Sequence, residues 1–450
     1  MHATITGALR VSGVLAALAV LATGCGEDSH PDSADKPSTG SRSPSSAHRG
    51  LGDILVGGKA VTGSKATGDT RIPYRRTYSA GSLYAPVTGY RSMLYGRTGL
   101  EALYDDVLAA GGASGDVVTT IDPAAQKAAF DALGDRQGAA VALDAESGKL
   151  LAVVSTPSYD PAAFSGRGPE DVRAWKTANG DADAPLLDRA LRQADAPGAT
   201  FAVVVAAAAL EQGLYPTVDE ATSSPLTYVL PLTRTRVTGA SPQCANASIR
   251  VALRRSCDNV FTKMAADLGA DQVRTMAEEF GFNDDALTVP LRVSESTYPA
   301  AGSTASQTAL TGIGAGEVAA TPLEMARVAA SVVNGGRLVN PSLVSRVTKS
   351  DGGTRQPGAA AGPAGQVISR RTADALRSVL DSATDTGISG QAGETTDGRG
   401  GSAGAWFIGY TDRGAGRRIA VAVRVGALAS PAGEGDEAAR VAERILATVS

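Results

Sequence analysis

Apolar residues are distributed along the chain in three ways. Residues 11–22 form a largely apolar run behind a short start that carries Arg10, the layout of an export signal. The run is too short to cross a bilayer as a helix. Residues 26–50 are Ser, Pro, Asp and Gly with almost nothing apolar, so they cannot collapse and read as a flexible tether. Beyond them the pattern becomes periodic. Residues 53–56 are strand-like, and a Tyr-containing stretch over 74–104 suggests a small accessory region to which no chemistry is assigned. Residues 116–122 predict a strand running into an N-cap, with a helix continuing towards Leu133. Two β-rich runs, 139–143 and 150–154, flank an acidic, Gly-containing turn, and 405–410 with 419–425 predict a second hairpin ahead of an amphipathic helix over 436–449. Between the hairpins, residues 200–212 predict a helix that ends at Gly213, and its wholly apolar circumference means burial on every side. Strands at both ends with helices between them imply one α+β unit built on an antiparallel sheet.

Composition narrows the function. With 43% hydrophobic and 20% charged positions in 450 residues, the chain can bury one large core, or one large and one small domain. A net charge of −4 gives no basic field to gather nucleic acid, and 4% aromatic residues leave little for base stacking or a sugar-binding groove. Thr23-Gly24-Cys25 after the apolar run resembles the lipobox of bacterial lipoproteins, in which the cysteine becomes the lipidated first residue. The plainer reading is an ordinary secretory signal with a chance cysteine. Both put the mature protein outside the cytoplasm, and the first anchors it to the outer face of the cell membrane.

The other cysteines, Cys244 and Cys257, are even in number and close in sequence. They form either a disulfide, worth about 3 kcal/mol, or a buried reduced pair. Their spacing is not a zinc pattern. The histidines His2, His30 and His48 all fall in the signal or tether, which removes a Ser-His-Asp triad and imidazole metal ligation from the folded part. Gly400-Gly401-Ser402-Ala403-Gly404 matches a hydrolase elbow, but no histidine follows it. No cofactor or metal is expected. The expected domains are a lipoprotein signal at 1–25, a tether at 26–50, a reduced N-terminal region at 51–112 and the main domain at 113–450.

Several short motifs share an order. Arg189-Ala190-Leu191-Arg192 precedes Pro197-Gly198-Ala199-Thr200-Phe201-Ala202. Val141-Ala142-Leu143-Asp144 is followed by Ser155-Thr156-Pro157-Ser158-Tyr159-Asp160-Pro161. Ser256-Cys257-Asp258, Ile313-Gly314-Ala315-Gly316, Thr321-Pro322-Leu323, Gln391-Ala392-Gly393-Glu394 and Ala405-Trp406-Phe407-Ile408-Gly409-Tyr410 come after. Over about residues 52–450 this series resembles the penicillin-binding transpeptidases, specifically the class B-like proteins of high-GC Gram-positive bacteria. The resemblance implies the penicillin-binding, serine β-lactamase-like fold, with an antiparallel five-stranded sheet flanked by helices. It also implies a place in peptidoglycan assembly.

In active relatives a helix serine attacks the penultimate D-Ala carbonyl of a stem peptide, a lysine three residues on manages its proton, and a K-T-G strand binds the carboxylate end. The family segment P-G-S-T-F-K here ends with Ala199 and Ala202 in place of serine and lysine. S-x-N has become Ser256-Cys257-Asp258, and K-T-G has become Gln391-Ala392-Gly393, followed by Glu394. Only Ser256 and Gly393 survive. Loss of the nucleophile costs such an enzyme on the order of a million-fold in turnover, and later losses add little. Two lysines made neutral and two carboxylates gained move the cleft by about four charge units towards negative. The expectation is a pseudoenzyme acting as scaffold or regulator, with cell-wall synthesis proteins or peptidoglycan as partners and no nucleic acid. The alternative is a working D,D-transpeptidase or carboxypeptidase with an unconventional nucleophile such as Ser256. A third reading is a cation-dependent ligand site at Asp258 and Glu394. Thr200, turned about 100° from position 199, is expected to bond the helix backbone rather than replace the nucleophile. The plain account of Ala199 and Ala202 is relaxation towards a more stable helix.

Overall fold

Strands β1 (Gly138–Asp144) and β2 (Leu150–Thr156) form the first hairpin. Its turn is fixed by Asp144, whose carboxylate accepts from the backbone N–H groups of Glu146 and Ser147 and from the Ser147 hydroxyl. The computed structural model describes residues 50–109, 114–349, 351–357, 362, 364–381, 388–396, 402–412, 417–426 and 434–449. The expected export signal with Cys25, the tether up to residue 49, Gly400 and Gly401 therefore lie outside the described residues.

Strands β3 (Ser389–Thr396), β4 (Ser402–Asp412) and β5 (Arg418–Gly426) complete an antiparallel five-stranded sheet of order β3-β4-β5-β1-β2. Ser402 begins strand β4, paired with Thr396. A hydrolase elbow needs a strand-to-helix turn at that serine, so the G-x-S-x-G match has no such context here.

Successive strand residues face opposite sides of the sheet. Val141 and Leu143 of β1, with Ala420 and Ala422 of β5, face one core cluster, while Ala140 and Ala142, with Ile419, Val421 and Val423, face the other. The second face is covered by helix α1 (Pro123–Leu133) and helix α5 (Glu434–Val449). Asp122 caps α1 by accepting from the N–H groups of Ala124 and Ala125. Helix α5 buries Ala438, Val441, Ala442, Ile445, Leu446 and Val449, the stripe expected of an amphipathic helix. The first face carries helices α2 (Ala202–Glu211), α3 (Asp258–Leu268) and α4 (Pro322–Val333). Every residue of 202–209 is buried, as the apolar circumference required.

A second sheet joins distant parts of the chain. Its order is Thr354–Arg355, Val344–Thr348, Asp116–Thr119, Ile54–Val56, Lys59–Ala60. Ile54–Val56 lies parallel to Asp116–Thr119, and the Asp116 carboxylate accepts from the Asp53 N–H at 2.8 Å. Strands on either side of residues 112 and 113 thus belong to one sheet. In the region before them, Glu101 is fully buried and is held by Arg76 at 2.5 Å and Arg91 at 2.9 Å. Cys244 and Cys257 form a disulfide with their Cα atoms 5.3 Å apart, which settles the choice left open by their spacing. Among the described residues no helix is long and apolar enough to cross a membrane.

Candidate active site

The segment after Pro197 does not enter the helix directly. Gly198 takes φ +59°, and Gly198–Phe201 form a 3-10 turn before α2 begins at Ala202. The α-helix therefore starts two residues later than the 200–212 expected from hydrophobicity, its first turn being 3-10. Three glycines let three segments meet at this turn. A Cβ on Gly198 would lie 2.5 Å from the Glu394 carbonyl oxygen of β3. One on Gly393 would lie 2.8 and 2.9 Å from the backbone nitrogens of Thr200 and Ala199. One on Gly314 would lie 2.2 Å from the Gly198 carbonyl oxygen. Strand β3 thus runs across the start of the helix with Gly393 against Ala199, and the 313–316 motif closes the other side.

At the meeting point, position 199 offers a half-buried methyl group and position 202 a methyl group only 1% exposed. Neither carries an atom able to attack or to accept a proton. Thr200 is fully buried, and its hydroxyl donates to the Pro197 carbonyl at 2.6 Å. That is the backbone bond expected of it.

Ser256-Cys257-Asp258 forms the junction of two helices. Ile249–Arg255 ends at Ser256, which adopts the left-handed conformation (φ +49°, ψ 55°) and is exposed. Cys257 is tied to Cys244, and Asp258 opens α3. Burial raises the Asp258 carboxyl to about 6, and the charge of Glu394 pushes it the same way. Asp258 and Glu394, from separate motifs, are thus brought within reach of each other's field. Glu394 itself is exposed.

Gln391 is 4% exposed. Its Nε2 donates to the carbonyl of the adjacent Ala392 at 2.8 Å, and its Oε1 is buried without a partner. Gly393 and Glu394 of β3 therefore meet the turn at 198–200 through the backbone, and Asp258 lies within the field of Glu394. Among the described residues no group of three or more His, Cys, Asp or Glu could hold a metal ion.

The Asp258 shift has a thermodynamic consequence. A carboxyl at about 6 in the folded chain and near 3.8 when free binds more protons folded than unfolded between those values. Folding stability therefore falls as pH rises from about 4 to about 6, and the whole penalty is present above that. Asp258→Asn is expected to stabilise the protein by about 1–3 kcal/mol at pH 7.5 and by little at pH 4. Urea unfolding of both proteins at the two pH values checks this, and an equal difference at both would contradict it.

Other features had no clear sequence signal. Arg424 of β5 pairs with Asp195 at 3.0 Å, just ahead of the Pro197 turn. A cleft of about 430 Å³ lies between residues 85–99 and the main domain, lined by Pro86, Tyr159, Leu187, Asp188 and Arg192 among others. Asp188 caps the turn at 189–192, and burial raises its carboxyl to about 7. The only hint in the sequence was an Asp preceding a short apolar and basic segment. A second cleft of about 700 Å³ runs along Asp219, Ser248, Arg254 and Arg255. Neither cleft is lined by the family-equivalent positions.

Comparison with known proteins agrees with this geometry. Residues 138–447 match the penicillin binding protein transpeptidase domain, and residues 51–124 match the penicillin binding protein A dimerisation domain. The peptidoglycan D,D-transpeptidase PbpA of Mycobacterium tuberculosis is 36% identical over 331 residues, 67% of this chain and 66% of that protein. PbpA of Mycolicibacterium smegmatis is 35% identical over 329 residues, with the same shares of the two chains. The chain thus spans just under two thirds of the length of these relatives. The crystal structure of the M. tuberculosis protein superposes with a TM-score of 0.81 at 31% identity, covering 89% of this chain and all of that one. Its penicillin G acyl-enzyme complex gives 0.80 at 31% identity with the same coverage. Fold, motif order and sequence agree: the chain belongs to the penicillin-binding protein transpeptidase family and is homologous to D,D-transpeptidases of peptidoglycan synthesis.

Proposed function

We propose that this protein is a non-catalytic member of its family, held outside the cytoplasm by a lipid on Cys25, that acts in peptidoglycan assembly by binding, as a scaffold or regulator. The observation that carries this reading is Ala199 at the turn where β3 crosses the helix start: the meeting of Gly198, Gly314 and Gly393 is retained, and the attacking oxygen is absent. Ala202 and Gln391 remove the two amines that serve such a nucleophile in active relatives. Thr200 cannot substitute, since its hydroxyl is buried and engaged.

The second reading rests on Ser256, whose side chain is exposed. Its neighbours Arg254 and Arg255 offer guanidinium groups, which are donors without an acceptor, and no lysine stands at position 202 or 391 to take its proton. The first reading is favoured on that ground.

Intact-mass spectrometry of the protein purified from its native envelope, after excess benzylpenicillin, tests both parts. The expected mass is that of a chain beginning at a lipidated Cys25 with no penicilloyl addition. A stoichiometric adduct, mapped to Ser256 or elsewhere, would end the non-catalytic reading, and an unmodified Cys25 would end the anchor. Crosslinked before extraction, the same protein is expected to bring with it a wall-assembly enzyme or a wall fragment. Recovery of neither ends the scaffold reading.

A further inference from the structure

We propose that the hairpin of Thr227–Val229 and Arg236–Thr238 is a docking element for the surface of a bilayer that contains anionic lipid. Leu232 enters the acyl boundary, and Arg234 and Arg236 meet headgroup phosphates. This rests on the lipid at Cys25 only for bringing the chain to the membrane, and goes beyond the scaffold reading.

The hairpin presents one face outward. Its strands pair Tyr228 with Val237 and Val229 with Arg236, and residues directly opposite each other share a face. The hairpin packs on α3, with Tyr228 and Val237 half-buried, while Val229 and Arg236 are exposed. A valine and an arginine thus stand side by side on the free face.

The tip adds a larger apolar group. Leu232 is 103% exposed, whereas the next most exposed large apolar side chain among the described residues, Leu94, is at 49%. That exposure is built into the turn. The Leu230 N–H donates to the Thr235 carbonyl at 2.9 Å, and the Thr233 N–H and hydroxyl donate to the Leu230 carbonyl at 3.1 and 3.0 Å. Leu230 itself is buried, so the turn is pinned on both sides of Leu232. The backbone of Leu232 takes φ +58°, a region that glycine or asparagine enters at less cost. Neither folding nor solubility gains from a leucine there. An apolar layer met from outside does.

Charge narrows the partner. The chain has a net charge of −4, yet residues 221–257 contain five arginines and no Asp, Glu or Lys. Arg250 is paired with Asp219. Arg234, Arg236, Arg254 and Arg255 are exposed and make no ion pair among the described residues. A basic field free of acids favours an anionic surface. A soluble polyanion would engage the arginines and leave Leu232 in water, so the two features together select a lipid surface. A chain held at Cys25 by a tether over 26–49 stays within about 80 Å of the bilayer. Docking is then intramolecular, and few contacts suffice.

Fluorescence of a Leu232→Trp chain tests this on vesicles of brominated phosphatidylcholine, with and without phosphatidylglycerol. The full chain is held through Cys25, by its own lipid or, where that is absent, by coupling the thiol to a maleimide lipid, since the other two cysteines are joined to each other. The unsubstituted chain gives the background of Trp175 and Trp406, and Leu94→Trp is the control away from the hairpin. Circular dichroism confirms the fold of each variant. Quenching of the indole at 232 is expected only with phosphatidylglycerol, and none at 94. Arg234→Gln and Arg236→Gln are each expected to lower the docked-to-free ratio about fivefold, and added salt lowers it further. No quenching at 232, equal quenching at 232 and 94, indifference to phosphatidylglycerol, or an unchanged ratio in both arginine variants would each overturn the proposal. Inorganic polyphosphate that shifts the emission at 232, where vesicles leave it unquenched, would assign the hairpin to a soluble polyanion instead. A native lipid on Cys25 without quenching removes this inference and leaves the anchor. Quenching on coupled vesicles in a chain with no native lipid removes the anchor and leaves the inference.

Discussion

A chain carrying Ala199→Ser, Ala202→Lys and Gln391→Lys is expected to be acylated by benzylpenicillin only slowly, and roughly a thousandfold faster once Asp258→Asn and Glu394→Gln are added. The first three changes restore the attacking oxygen and both amines at a turn whose backbone is already in place, because Gly198, Gly314 and Gly393 still seat strand against helix. They leave the field unfavourable. Penicillin brings a carboxylate, and two like charges about 4 Å apart at an effective dielectric of 20 repel by about 4 kcal/mol, close to three orders of magnitude. Time-resolved intact mass gives the acylation rate of each variant. Added salt should narrow the gap, since Glu394 is exposed and its field is screened. Equal rates with and without the two charge changes would show that the carboxylates do not govern approach to the cleft.

Gly198→Ala is expected to destabilise the protein by about 3 kcal/mol or more, and Gly213→Ala, at the other end of the same helix, by only about 1–2. Both glycines have positive φ, +59° and +69°, so both substitutions carry the cost of a left-handed residue. They differ in what the added carbon meets. At 198 it lies 2.5 Å from the backbone oxygen of Glu394, which cannot yield without moving β3, whereas at 213 nothing lies within 4 Å. Urea unfolding of the two variants measures the difference. Equal losses would mean that the contact between the turn and β3 contributes nothing to stability.

Much of this architecture was legible in the sequence wherever a local rule sufficed. The hairpins around 144–149 and between 412 and 418, the Asp122 cap, the terminal amphipathic helix and the buried helix at 202–209 each follow from periodicity or capping within a dozen residues. The backbone bond made by Thr200 follows from its place at a helix start. What escaped depends on partners far away in the chain. The sheet that joins 54–56 to 116–119 and 344–348 pairs residues more than two hundred positions apart, and no local pattern specifies a parallel neighbour. The 3-10 turn at 198–201 is set by contacts with residues 314 and 394. The sequence placed Asp258 and Glu394 at family positions and so suggested an acidic cleft. The raised Asp258 carboxyl and the unpartnered Gln391 oxygen are properties of burial, which arise only once the segments have met.

The helix that buries 202–209 on every side also fixes the direction in which this protein can change. A lysine restored alone at 202, 1% exposed, would have to place an ammonium in an apolar layer with no serine beside it, at a cost of several kcal/mol. A serine restored alone at 199 would gain no base. Each single step towards the family residues therefore costs stability or gains no base. The buried layer behaves as a ratchet: a return to the family residues at 199 and 202 requires both substitutions at once.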